Sequence, residues 1–194
     1  MMHRDTIEAF KSGDDLAFVS IYNHYKTGIY SFCLKMLMSR DLALDAVQDT
    51  FVRVYENRDR LMNTGAFKSW LYTIARNQCL NRIRKLKREV PLDEACELRS
   101  DQSPIGELEK SERIEFVNRY LAALSPSYRE VIVLREFQNM SYEEIGAITR
   151  STISAVKSRL FKARRKLANE MKPAMAMMAA RAAEKPAENE SGTK

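Results

Sequence analysis

The chain has 194 residues and a net charge of +6, from 32 Lys and Arg against 26 Asp and Glu. Hydrophobic residues make up 45% of it, enough for a buried core, but no run of about 18 apolar residues is present, so no membrane insertion is expected. Cys33, Cys79 and Cys96 lie far apart in sequence without zinc-ligand spacing, and the polar N-terminus leads into no signal core; no disulfide framework is suggested and a reducing cytoplasm is favoured.

The pattern is helical throughout. A first long helix is expected from Asp14 to Met38, with Phe18, Tyr22, Tyr25 and Phe32 on an aromatic face. From Asp41 to Asn57, Leu44, Val47, Phe51, Val54 and Tyr55 recur at steps that keep one helix face apolar. Arg60 to Gly65 reads as a loop, because Asn63 and Gly65 break helices. Ala66 to Lys87 is the next helix, with Phe67, Trp70, Leu71, Ile74, Ile83 and Leu86. Residues 89–110 then carry a net charge of −5, and Pro91, Pro104 and Gly106 interrupt them; the segment reads as an acidic linker. Helical spacing resumes at Ile114, Val117, Leu121 and Leu124. Ser125-Pro126 has the form of an N-cap followed by proline, ahead of a helix through Val131, Ile132 and Leu134. Ser141-Tyr142-Glu143-Glu144 has the spacing of a capping box. A turn at Thr149–Thr152 separates that short helix from a last one carrying Ile153, Val156, Leu160, Ala163 and Leu167. From Asn169 the chain is Ala/Met-rich, then polar. Pro173, Pro186 and Gly192 argue against one continuous helix, so residues 169–194 are expected to be a disordered tail, with at most a transient helix at Met175–Ala183.

No alternating strand pattern of useful length occurs. The expected fold is all-α: two small helical domains, 10–88 and 112–168, joined by a flexible acidic linker at 89–111.

Charge is distributed more tellingly than its total. Arg150 to Lys166 carries +7 with no acid, following a capped short helix and a tight turn. That order describes a helix-turn-helix whose basic second helix enters the major groove, with Ser158, Arg159 and Lys162 in reach of base edges. Asn81 to Arg88 carries five cations at the end of a helix that opens with Phe67, Trp70 and Tyr72. Rings beside a basic track suit single-stranded DNA, although aromatics at helical spacing equally suit a core. The acidic linker is a solvated tether or a nucleic-acid mimic. Catalysis has no support: His3 and His24 are the only histidines, neither has metal-ligand spacing, and no phosphate-binding glycine motif is present. No cofactor or metal is expected. A dimeric operator-binding regulator would share the C-terminal half but would not require residues 41–88, and a protein-interaction scaffold would not require the uncompensated charge after Arg150.

At the level of motifs the chain resembles the extracytoplasmic-function (ECF) sigma factors of the sigma-70 family. Asp45-Ala46-Val47-Gln48-Asp49-Thr50-Phe51-Val52-Arg53-Val54 is similar to the family's polymerase-binding helix of region two, and Ala66 to Asn77 to its −10 reading and melting helix. Leu124 to Leu134 and Ser141 to Gly146 resemble the start of region four, and Val156 to Leu167 its recognition helix. The resemblance spans about residues 10–168, and the lack of a large middle domain fits this compact subgroup. It implies a transcription initiation factor that directs RNA polymerase to promoters and helps to open them. Asp45, Gln48, Asp49, Phe51 and Val52 would dock on the β′ clamp helices of the polymerase core. Leu61 and Asn63 of the loop, with Trp70, Arg76, Asn77 and Arg84, would hold the single-stranded −10 non-template strand, where a flipped base must regain a few kcal/mol of lost stacking. In duplex −35 DNA, Ser158, Phe161 and Lys162 would read bases while Lys157, Arg159, Arg164 and Arg165 meet the phosphate backbone. Region four would also meet the β flap, the linker would thread towards the active centre, and an anti-sigma factor would be a regulatory partner. The chain departs from the family pattern at Arg150, where glycine is common in the turn, at Gly146 in place of alanine, and at Ser154-Ala155 in place of Gly-Thr.

Overall fold

The computed structural model describes residues 3–89 and 116–183. Among the described residues every regular element is helical. The acidic linker from residue 90 onward and the last eleven positions, 184–194, lie outside them.

The N-terminal body opens with α1 (Arg4–Lys11), which sequence periodicity does not reveal because only Ile7 and Phe10 enter the core. α2 (Asp15–Leu37) begins where Asp14 accepts hydrogen bonds from the Leu16 and Ala17 amides at 2.8 and 3.3 Å. It stops at Met38, whose φ of 55° ends the helix in a left-handed cap. α3 (Arg40–Glu56) is capped by Ser39, which accepts from the Leu42 amide. Its buried face is Ala43, Ala46, Val47, Thr50, Phe51 and Val54. Leu44, expected on that face, is exposed, and Tyr55 lies at its edge, partly exposed with its ring against Phe18 and its hydroxyl donating to Asp15 at 2.9 Å. Two 3₁₀ turns, Arg58–Arg60 and Thr64–Ala66, form the loop, and α4 (Phe67–Glu89) follows. Thr64 ties this loop to α1: its hydroxyl donates to Glu8 at 3.0 Å and accepts from Arg4 at 3.3 Å. Cys33 and Cys79, remote in sequence, meet in the core between α2 and α4; the hydrogen bond to Cys33, then burial, pushes the Cys79 thiol well above its ordinary range.

The C-terminal body comprises a helix at 116–122 (α5), α6 (Pro126–Ile132) running on into a π-helical turn (Val133–Phe137), α7 (Tyr142–Thr149) and α8 (Ile153–Ala183). Pro126 stands in the first turn of α6 as expected, but the Ser125 side chain caps no amide and lies 3.3 Å from the Ser127 hydroxyl instead. The capping box is formed in full: the Glu144 amide donates to Ser141 Oγ at 3.1 Å and the Ser141 amide to Glu144 Oε2 at 2.7 Å. Arg150 has φ 52° and ψ 49°, so the turn between α7 and α8 does require the left-handed conformation. α8 corrects the expectation of a break: it continues through Pro173 to Ala183. The flanking Ala and Met are strong helix formers, and proline removes one donor without obliging an exposed helix to end.

Candidate nucleic-acid and partner surfaces

α8 is held against the body by Val156, Leu160 and Ala163, all buried. That fixes the opposite face: Lys157, Phe161 and Arg165 form one exposed row at steps of four, with Ser158 and Lys162 beside it. Phe161 is 66% exposed, an apolar side chain with no core to fill, as contact with thymine methyls would use. Lys157 lies 5.5 Å above the Tyr142 ring. The two remaining sequence candidates face the flanks. Arg164 donates to Glu136 of the π turn through Nε at 3.0 Å, and this partner raises its pKa. Arg159 is half-buried, with Nη2 donating to Ser151 Oγ at 3.1 Å and Nη1 3.6 Å from Glu130.

In the N-terminal body Asp45, Gln48, Asp49 and Val52 share the outward face of α3, with Val52 49% exposed. Phe51 does not join them: it is buried against Phe18 and Tyr22, so its part is to brace the helix that presents the others. Leu44 takes its place on the exposed stripe. The heptad-like spacing hid it, since an apolar residue beside a core stripe reads as core. Asp49 is anchored by Arg82 of α4 at 2.6 Å.

The loop redistributes its roles too. Leu61 is 2% exposed and belongs to the core; Met62 beside it is 94% exposed. Asn63 stays exposed while its Oδ1 accepts from the Gly65 amide at 2.9 Å, a turn that orders the loop tip. Of the three aromatics at the start of α4, Phe67 and Tyr72 are core, and only Trp70 is half-buried. Trp70 lines a groove of about 280 Å³ with Arg53, Arg60, Asn77 and Arg150 among its walls. One ring flanked by an amide and three cations suits an unstacked base with its phosphates. Arg53, Arg60 and Arg150 were invisible as members of this groove because they come from three separate elements. Arg84 is exposed further along α4 and donates to Asn81 at 3.3 Å. Arg76, by contrast, is turned away from the groove and forked onto Glu130 of the other body, at 2.6 and 3.2 Å.

The two bodies touch. α4 packs on α7, and α2 on the π turn. Arg129, whose pKa burial lowers, donates to the carbonyls of Leu121, Ala122 and Leu124 at the end of α5 and, through Nη1, to Met36 at the end of α2 at 2.7 Å. Among the described residues no cluster of His, Cys, Asp and Glu could hold a metal ion, and no helix is long and apolar enough to cross a membrane.

Comparison with known proteins agrees with this arrangement. Sequence models of Sigma-70 region 2 and of Sigma-70 region 4 match residues 21–89 and 117–167. The chain is 32% identical over 183 residues to the ECF RNA polymerase sigma factor SigW of Bacillus subtilis, covering 89% of this chain and 98% of that protein. It is 29% identical over 178 residues to the ECF RNA polymerase sigma-E factor of Escherichia coli K12, covering 86% and 93%. A similar solved structure, the sigma factor RpoE in complex with the anti-sigma factor NepR from Bartonella quintana, superposes with a TM-score of 0.65 at 27% identity, covering 80% of this chain and 96% of that one. With both sigma regions present in order and nearly the whole length shared, the chain belongs to the ECF RNA polymerase sigma factors of the sigma-70 family, which direct RNA polymerase to promoters.

Proposed function

We propose a residue-level division of this work. The exposed stripe of α3, Leu44, Asp45, Gln48, Asp49 and Val52, docks on the β′ clamp helices of the polymerase core. The loop tip at Met62 and Asn63 and the groove around Trp70, Asn77 and the neighbouring arginines take the single-stranded −10 non-template strand, with Arg84 following its phosphates. The outer face of α8 enters the major groove at −35: Ser158, Phe161 and Lys162 lie over base edges, while Lys157 and Arg165, with Arg159 and Arg164 once released, neutralise phosphates. Region four also meets the β flap. The observation that carries this reading is the outer face of α8, cationic and aromatic where a solvated helix would be mixed in charge. The factor works in the cytoplasm, and a protein of the anti-sigma class, as bound by the Bartonella relative, holds it in reserve.

Run-off transcription with core polymerase on fragmented genomic DNA tests the reading. The expected outcome is initiation at defined sites that vanishes when this chain is left out. A purified chain that leaves core polymerase unbound, or binds it without fixing a start site, overturns the proposal.

A further inference from the structure

The loop that presents Met62 and Asn63 is pinned on both sides of its tip. Before the tip Leu61 is buried in the core, and after it Thr64 is 5% exposed. At the tip Asn63 Oδ1 accepts from the Gly65 amide at 2.9 Å, and a Cβ at Gly65 would crowd that same oxygen at 3.1 Å. The second pin is made outside the loop. The Thr64 hydroxyl donates to Glu8 at 3.0 Å and accepts from Arg4 Nε at 3.3 Å, so α1 engages it both as donor and as acceptor. A carboxylate acceptor makes the first of these bonds charge-assisted and stronger than a neutral one. α1 is itself fixed in place: Ile7 and Phe10 are buried, and Phe10 stacks on Phe18 of α2 at 5.7 Å and meets Phe67, the first residue of α4, edge-on at 6.2 Å. α1 also lies ahead of residues 21–89, the stretch that matches Sigma-70 region 2.

We propose that α1 is a positioning element for −10 recognition: through Arg4 and Glu8 it fixes Thr64, and so sets which base the loop tip accepts. This role rests on the assignment of Met62 and Asn63 to the −10 strand given above. Arg4 and Glu8 act through Thr64 and not on the base itself. The two pins differ in kind. Burial of Leu61 is non-directional, whereas hydrogen bonds of the Thr64 hydroxyl have preferred angles, so the orientation of the tip depends on α1. A rigid tip rejects a wrong base because it cannot shift to relieve a clash or to pair a stranded polar group; a loose tip can. Capture of an unstacked base has only a few kcal/mol to recover, so a small loss of order at the tip falls directly on discrimination.

The test uses holoenzyme formed from core polymerase and the full-length chain, on a promoter found by the run-off experiment above. Its −10 and −35 elements are randomised in separate libraries, with a barcode in the transcribed region, and sequencing of transcripts gives the base preference at every position. Asn63→Ala marks the −10 position that the loop reads. Thr64→Val keeps the shape of the side chain and removes its hydroxyl. It is expected to lower the ratio of best to worst base at that position by about tenfold, the scale of one hydrogen bond to a charged group, and to leave the −35 preference as in wild type. Thr64→Ser returns the hydroxyl and is expected to restore the ratio. Glu8→Leu removes the acceptor at an exposed position of α1 and is expected to lower the same ratio by a smaller factor. A merely structural defect would lower transcription from all templates alike and leave the ratios unmoved. Wild-type ratios in Thr64→Val overturn the proposal, and so does an equal loss in Thr64→Ser. Should Thr64→Val fail to bind core polymerase, Glu8→Leu decides alone, and wild-type ratios for it overturn the role of α1 equally. An Asn63→Ala holoenzyme that keeps every −10 preference counts instead against the assignment of the loop.

Discussion

Gly146 and Arg150 stand one turn apart and break local preference in opposite senses. A glycine inside a helix costs about 1 kcal/mol of propensity relative to alanine, so Gly146 reads in the sequence as a weak point. The fold reverses that reading. A Cβ at Gly146 would lie 2.8 Å from the backbone oxygen of Ser151, in the turn that brings α8 back over α7. Gly146→Ala is therefore expected to lower the melting temperature of the full chain, with an overpacking cost of about 1–3 kcal/mol that outweighs the propensity gain. A calorimetric scan checks the sign. Arg150 is the converse case. Its φ of 52° is left-handed and carries a steric cost that glycine escapes. Arg150→Gly is expected to raise the melting temperature by the equivalent of about 1 kcal/mol, less whatever the lost wall of the Trp70 groove contributes. Both positions had a sequence signal, a departure from the pattern of the family. The sign for Gly146 needed the backbone approach, which no periodicity encodes.

Along a helix, the sequence is most legible where side-chain chemistry terminates it. Asp14 and the Ser141–Glu144 box start α2 and α7 where the pattern places them. α1 and the stretch beyond Pro173 were missed for opposite reasons: one has too few buried apolar residues to show a period, the other has proline in a run of helix formers. The burial of Phe51, Leu61 and Tyr72 shows the other limit of pattern reading, since a motif names a segment while packing decides which of its residues face out. On α8 that decision is clear, and it separates two kinds of contact. Lys162→Ala is expected to change base preference within the −35 element, because Lys162 lies on the outer face beside Phe161. Arg165→Ala is expected to weaken all sequences alike and to flatten the slope of log affinity against log salt by about one unit. Selection of bound duplexes, combined with a salt titration on holoenzyme, distinguishes the two.

At the scale of the whole molecule, the two bodies were legible separately and their seam was not. Nothing in the sequence joins Tyr72 to Gln138 or Arg76 to Glu130; only the fold makes them neighbours. The seam has a pH signature. Burial, followed by the nearby Tyr25, Cys33 and Glu144, raises the Tyr72 hydroxyl above the ordinary tyrosine value of about 10. Tyr72 therefore holds its proton more tightly folded than unfolded. Its contribution is complete below about pH 10 and is lost as pH rises from there through the raised folded value. The fold is expected to lose stability on that alkaline limb, and Tyr72→Phe to flatten the loss, as followed by thermal melts against pH.

Arg129 shows why such a seam can be reversible. When the bodies part it gives up a single acceptor, the Met36 carbonyl, and keeps those of Leu121, Ala122 and Leu124 within its own body. One hydrogen bond from a charged donor is worth about 1.5–3 kcal/mol, and water can replace it at a helix end. Arg129 itself would not be stranded by a separation: still held by the three carbonyls of its own body, the guanidinium would meet α2 again without first having to be reordered.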